Sequence, residues 1–404
     1  MLNRKNFYEN FSHEKKNFYL NIKKTKKIFK NLYSDYNNYN IPLLESFKEN
    51  YDLDFSSETV KKFSKYENIF VFGMGGSILG TKCIYSFFKK KIKKKVFFFD
   101  NLDANLYLNF KKIKKIKNSC FIIVSKSGKT LETIANLSFV FKKTLPKNKV
   151  IIITEIKDNT LISIANKFGA EIVEHKDFIG GRYSVFSEVS MLPAALMNLN
   201  VKKFKNLDKL LNNKFFVSTL IRNAASIYTL YKKGINSSVI LNYDSNLNNL
   251  SYWYQQLVGE SLGKKGKGIT PILSFAPKDH HSMMQLYLDG PKDKFYTFFT
   301  SSNKKENKNI ITSSIIPNDM IFLRKKNVKL ILEAQSKATT SIFKLKNVPF
   351  RHFIFNKEKE EELGEILTFF VLETLLLARL LNVNPFNQPA VEQIKIETQK
   401  ILSK

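Results

Sequence analysis

Phe121-Ile122-Ile123-Val124-Ser125-Lys126-Ser127-Gly128-Lys129-Thr130-Leu131-Glu132-Thr133-Ile134-Ala135 passes from an apolar run through a hydroxyl-rich turn into a helix-like segment. A buried strand, a turn and a helix N-terminus in that order form a phosphate cradle. Unpaired backbone N–H groups and the positive end of the helix face the anion. Ser125, Ser127 and Thr130 add hydroxyl donors, so the predicted ligand carries a phosphate. Gly128-Lys129-Thr130 also resembles the end of a nucleotide P-loop, but that pattern needs glycine five positions before Gly128, where Ile123 stands. An ordinary serine-rich turn is the competing reading.

Working outward, short apolar runs at 69–72, 96–99, 121–124 and 150–154 alternate with helix-like segments at 81–90 and 130–141. That alternation predicts a parallel sheet with helices on both faces. A second unit begins near Ser238-Val239-Ile240-Leu241 and continues through a helix over 247–262, a run at 295–298 and a strand over 348–355. Helices are predicted over 360–381 and 389–401, the latter with Pro389 at its first position. The expected fold class is α/β, two doubly wound parallel-sheet domains flanked by N- and C-terminal helices. The expected domains are a helical segment over 1–60, a first sheet domain with the phosphate loop over 61–205 and a second over 206–358. C-terminal helices over 359–404 are expected to pack on the site.

With 404 residues and 43% hydrophobic content the chain has room for such a core. The formal charge of +31 would ordinarily point to nucleic acid or an anionic membrane. Only six of the 66 basic residues are arginine, however, and a reader of nucleic acid uses arginine for its bidentate contacts. The lysines travel with Asn, Ile and Phe along the whole chain, a compositional bias rather than a patch, so neither nucleic acid nor membrane is an expected partner. Cys83 and Cys120 give no disulfide framework, and no apolar run follows the N-terminal Met1-Leu2-Asn3-Arg4-Lys5. The expected location is the cytoplasm. The apolar stretch 366–381 is interrupted by Glu373 and Arg379 and falls short of a membrane span.

Five further constellations carry chemistry. Gly73-Met74-Gly75-Gly76-Ser77 follows the first strand and departs from the dinucleotide spacing G-x-G-x-x-G at position 78, so a turn that brings Gly76 and Ser77 to the same phosphate fits better. Gly180-Gly181-Arg182-Tyr183-Ser184 places a guanidinium, able to stabilise an oxyanion, behind two permissive glycines, with a surface ion pair as the alternative. Gln256 and Glu260 share a helix face, and a carboxylate near the end of an apolar helix is a candidate base or a solvated helix end. Asp279-His280-His281 lacks a further ligand at zinc spacing, which leaves a proton-transfer or a structural role. Gln388 stands at the predicted start of the last helix, with Lys395 two turns on, so both could edge one pocket.

Together and in this order, these segments resemble the phosphoglucose isomerase family, whose two sheet domains are sugar-isomerase (SIS) domains. The resemblance covers about 69 to 400. Gly73-Met74-Gly75-Gly76-Ser77-Ile78-Leu79-Gly80 is similar to the family's first glycine turn and 125–133 to its phosphate loop. Gly180-Gly181-Arg182-Tyr183-Ser184-Val185-Phe186-Ser187 and 384–395 look like its two signatures, and 256–264 and 281–290 resemble the segments carrying its glutamate and histidine. By that resemblance Glu260 is the base of a cis-enediol(ate) aldose–ketose shift, and Arg182 stabilises the enediolate. His281, helped by Lys395, opens the sugar ring. Gln256 and Gln388 hold the hexose, while Gly76, Ser77, Ser125, Ser127 and Thr130 hold its 6-phosphate. No cofactor and no metal is implied. The histidine would come from the neighbouring subunit of a homodimer.

The chain departs from the family pattern at Gly128, Lys129, Ile78, Leu262, Asn387, Ala390 and Ile394, and none of these is a proposed catalytic side chain. Two other readings share the domains. A bifunctional glucose/mannose-6-phosphate isomerase has a similar Glu/His pair. A non-catalytic sugar-phosphate sensor would need the phosphate loop but not Arg182, Glu260, His281 and Lys395 together.

Overall fold

The computed structural model describes residues 7–8, 15–111, 116–141, 146–302, 311, 316–356 and 358–404. Its strands are β1 (Phe7–Tyr8), β2 (Asn68–Phe72), β3 (Lys95–Phe99), β4 (Ser119–Val124), β5 (Val150–Thr154) and β6 (Glu171–Glu174), then β7 (Ser237–Asn242), β8 (Thr270–Phe275), β9 (Lys294–Ser301) and β10 (Phe350–Phe355). They form two five-stranded sheets, ordered β3-β2-β4-β5-β6 and β1-β10-β9-β7-β8. The first is wholly parallel, and the second is parallel except for β1, which pairs antiparallel with β10.

The first strand of each domain has its successor on one side and the third strand on the other. The order of strands therefore reverses between β2 and β4 in one sheet and between β7 and β9 in the other. Ligands of doubly wound sheets bind beyond the carboxyl ends of the strands at such a reversal. The register sets Phe72 of β2 beside Ile123 of β4, so the Gly73–Ser77 and Ser125–Thr130 turns leave the sheet side by side.

Central strands are buried on both faces, which is why β2, β4 and β5 read as unbroken apolar runs. Phenylalanines fill the space beside them: Phe70 stacks on Phe97 and Phe121, and Phe72 on Phe99. The Glu360–Leu381 helix is buried along most of its length against the Lys214–Lys232 and Asn248–Leu262 helices. Its Glu373 is fully buried and accepts from Arg351 Nη1 at 2.6 Å, while Arg351 also donates to Thr297, Tyr254 and Asn223. Burial pushes the Glu373 carboxyl above its ordinary range, with Arg351 opposing. This network fixes β10 and two helices to Tyr254, on the same helix as Glu260.

The N-terminal Lys15–Asn37 helix packs on the Lys214–Lys232 and Glu360–Leu381 helices, with Asn21 bonded to Thr229 at 2.8 Å and Asp35 to Arg379 at 2.7 Å. Among the described residues no helix is long and apolar enough to cross a membrane.

Candidate active site

Arg182 lies in a tight turn, Gly181–Phe186, after the first sheet, and its side chain is buried. Glu260 lies in the last turn of the Asn248–Leu262 helix, which follows β7 of the second sheet. The two meet at 3.0 Å, Arg182 Nη1 to Glu260 Oε2. The guanidinium spends its other donors on nearby acceptors: Nε on Ser261 Oγ at 3.0 Å, Nη1 also on Gln388 Oε1 at 2.9 Å, and Nη2 on the carbonyls of Asn387, at 3.2 Å, and Pro385. Glu260 Oε1 accepts from Gln256 Nε2 at 3.0 Å, as their four-residue spacing on one helix face predicts. Arg182, Gln256, Glu260 and Gln388, read from three separate stretches of sequence, therefore form one cluster.

The turn after β2 touches this cluster. A Cβ at Gly76 would sit 2.1 Å from the Gly181 carbonyl carbon, so only glycine lets the two backbones meet. At Gly75 it would sit 2.7 Å from Gln256 Nε2. The Gly73–Ser77 turn and the Glu260–Arg182 pair are thus neighbours. Across the reversal point Ser125 Oγ and Thr130 Oγ1 lie 2.7 Å apart, while Ser127 is exposed. Gly128 has φ of +65°, and a Cβ there would sit 1.9 Å from Asn159 Oδ1, which explains glycine at this place in the loop.

The helices that open at this point, Gly76–Phe87 and Leu131–Val140, carry no side-chain hydrogen bond at their N-caps. Asn159, Ser187, Asn213 and Asn327 each cap the helix they precede, while the Asn248–Leu262, Glu360–Leu381 and Pro389–Leu402 helices also lack a side-chain cap. Two N-termini without side-chain caps at one reversal point suit an anion, whose charge both helix dipoles favour.

The two histidines separate clearly. His280 Nε2 lies 2.7 Å from Tyr243 Oη and 3.4 Å from Thr339 Oγ1, and burial, followed by the charge of His281, lowers its pKa. Asp279 accepts from Ser274 Oγ at 2.8 Å, Phe275 N at 2.6 Å and Ser282 Oγ at 3.1 Å. Burial raises its pKa, but these donors outweigh that effect and hold the carboxyl below its ordinary range. The clamped turn leaves His281 on the surface, and among the described residues no hydrogen bond joins it to the Arg182 cluster.

Lys395 is exposed and pairs with Glu392 at 2.6 Å, on a helix (Pro389–Leu402) without a buried residue. Of the C-terminal segment, the stretch from Pro385 to Gln388 is what reaches Arg182. Sequence reasoning missed Ser261 and Tyr183, which anchor the guanidinium. Tyr183 Oη lies 2.8 Å from Ser261 Oγ and donates to the Pro385 carbonyl at 3.0 Å. Their adjacency to Glu260 and Arg182 was the signal available.

Two doubly wound sheets with a pair of uncapped helix N-termini at one reversal point, joined by a carboxylate–guanidinium pair, define a two-sheet sugar-isomerase architecture. The family model described as phosphoglucose isomerase matches residues 43–404. The glucose-6-phosphate isomerase of Methanocaldococcus jannaschii is 34% identical over 352 residues, covering 85% of this chain and 86% of that protein. That of Mycoplasmopsis synoviae is 30% identical over 387 residues, covering 90% and 87%. The crystal structure of a glucose-6-phosphate isomerase from Chlamydia trachomatis shares the fold with a TM-score of 0.72 at 18% identity, over 86% of this chain and 72% of the other. A hypothetical protein from Thermus thermophilus does so with a TM-score of 0.82 at 22% identity, over 98% and 100%. The chain belongs to the phosphoglucose isomerase family.

Proposed function

We propose that this chain interconverts glucose 6-phosphate and fructose 6-phosphate through a cis-enediol(ate), as an isomerase of glycolysis and gluconeogenesis. The observation that carries the proposal is the 3.0 Å contact between Glu260 and the buried Arg182, with Gln256 and Gln388 on the same pair. The phosphate anchors in the turns of Gly76, Ser77, Ser125, Ser127 and Thr130, and remote binding there holds the open chain for reaction. From the open-chain aldose, Glu260 takes the proton from C2 as the C–H pair becomes the C1=C2 bond and the C1=O π pair moves onto O1. The same carboxyl then returns that proton to C1 while the O2–H proton passes to O1 and the O2 pair forms C2=O. No electrons leave the substrate, so no redox cofactor is required.

Arg182 keeps its charge throughout and stabilises the enediolate oxygens, which supplies fixed positive charge without a metal. Positioned acid–base groups contribute about 10²–10⁴-fold and an oxyanion partner about 3–4 kcal/mol. His281 of a second copy, assisted by Lys395, opens the ring. The exposure of His281 on a clamped turn supports delivery to a neighbour, and we assign the working unit as a homodimer in the cytoplasm.

A coupled assay on fructose 6-phosphate, with chelator present and mannose 6-phosphate as a second substrate, tests this. We expect glucose 6-phosphate to form at a rate the chelator does not change, with little turnover of the mannose ester. Absent turnover, or turnover abolished by chelation, contradicts the proposal, and substantial mannose 6-phosphate activity replaces it with the bifunctional reading.

A further inference from the structure

Glu260 stands at an electrostatically awkward place. It lies in the last turn of its helix, where unsatisfied carbonyls carry the negative end of the helix dipole. That charge opposes ionisation of a base and opposes formation of an enediolate beside it. The chain answers with Lys264, just beyond the C-cap Gly263. Lys264 Nζ donates to the carbonyl oxygens of Glu260 at 2.5 Å and Ser261 at 2.9 Å. These belong to the base itself and to the residue that accepts from Arg182 Nε.

The lysine backbone is held as firmly as its head. Lys264 N bonds to the carbonyls of Leu262 and Lys267, each at 2.9 Å, closing a tight Lys264–Lys267 turn. Lys267 Nζ then ties that turn to the Leu381 carbonyl at 2.9 Å. The ammonium is thus delivered to the helix end by a braced loop. Two charged groups act on it most: Arg182 from the Gly181–Phe186 turn, and Glu260 from its own helix.

We infer that Lys264 is a positioning residue for the base, neutralising the helix end and fixing the last turn so that Glu260 meets Arg182 and substrate correctly. The inference deepens the function proposed above and rests on Glu260 being the base. The lysine has a consequence that a purely structural cap would lack. Burial, then the nearby Arg182, pushes its pKa down to about 8, with Glu260 opposing. The charge is present below that pH and lost above it. Turnover therefore falls as pH rises through that range.

The test is kcat and KM against pH for the parent chain, Lys264→Met and Lys264→Arg. We expect Lys264→Met to lower kcat about tenfold with KM little changed, and to remove the alkaline fall, since methionine does not titrate. Lys264→Arg should retain most of kcat at neutral pH and move the alkaline fall to higher pH, since a guanidinium does not titrate there. A Lys264→Met chain with the parent's kcat and alkaline fall overturns the inference. So does a Lys264→Arg chain whose alkaline limb stays where the parent's is, which decides the matter should the methionine variant fail to fold. Undiminished turnover by Glu260→Gln would instead break the underlying assignment of the base. An inactive Glu260→Gln chain beside an unchanged Lys264→Met chain breaks this inference alone.

Discussion

Glu260→Gln lowers kcat by about 10²–10⁴-fold while leaving the fold and the affinity for a phosphate-bearing ligand intact. The substitution keeps the volume of the side chain and removes its basicity. The new amide oxygen can still accept from Arg182, now at 3.0 Å from the carboxylate. Its amino group would then face Gln256, whose Nε2 presently donates to Glu260 and whose Oε1 is buried without a partner among the described residues. A flip of the Gln256 amide turns that oxygen toward the new donor, so the packing survives. The phosphate turns lie in the other domain and lose nothing directly. Steady-state kinetics with fructose 6-phosphate, together with calorimetric binding of a non-isomerisable hexitol 6-phosphate, separates the two effects. Retained turnover in this variant would remove Glu260 from the role of base.

Arg182→Lys has the second largest expected effect, and it strikes both chemistry and stability. The guanidinium engages Ser261, Glu260, Gln388 and the carbonyls of Pro385 and Asn387 from three nitrogens held in one plane. An ammonium offers three donors from one point and cannot reach all five acceptors. The residue is only 3% exposed, so water does not readily satisfy the acceptors left behind. We expect kcat to fall by about 10²–10³-fold and stability by about 2 kcal/mol, read from the urea midpoint. The link from the Pro385–Gln388 stretch to the first domain should loosen as well, because Arg182 ties them together. A lysine variant with the parent's kcat would show that a point charge suffices and that the planar fork is dispensable.

Much of the fold was legible because the central strands are buried on both faces. The runs around Ile69, Phe121 and Val150 leave no polar interruption, and β2, β4 and β5 stand where those runs are. The Glu360–Leu381 helix was equally plain, and its Glu373 and Arg379 found buried or half-buried partners in Arg351 and Asp35. The edge strands β6 and β8 were missed for the opposite reason, whereas the edge strand β3 was read from its apolar run at 96–99. Glu171-Ile172-Val173-Glu174 has too few apolar residues to read as a strand, and Thr270–Phe275 contains Pro271, which an edge strand tolerates. The two-residue β1 has no local signal at all, since it exists only by pairing with β10.

The site divided along similar lines. Arg182, Gln256 and Glu260 stood out because arginine is scarce in this lysine-rich chain and because helix spacing pairs the other two. Scarcity proved informative: among the described residues Arg182 and Arg351 are the buried arginines, and each meets a carboxylate and several neutral acceptors. Lysine gave the reverse problem. Lys264 and Lys395 look alike in sequence, yet one is turned onto the end of the Glu260 helix and the other pairs with Glu392 in the open. What separates them is position along the helix: Lys264 stands just past the end of its helix and reaches carbonyls three and four residues back, while Lys395 lies within its helix beside Glu392. The departure at Gly128, unexplained by any phosphate chemistry, follows from the Asn159 side chain that occupies the space a Cβ would need.

The central claim is that Glu260 and Arg182 of one chain work with His281 of another, and subunit complementation tests it most directly. Glu260→Gln and His281→Ala chains, each inactive alone, are mixed, dissociated and reassembled, and isomerisation of fructose 6-phosphate is followed. Random pairing puts an intact glutamate opposite an intact histidine in about a quarter of the sites of a two-fold dimer, so activity should return to about that fraction of the parent's. A mixture that stays as inactive as its components would contradict a centre assembled from two chains.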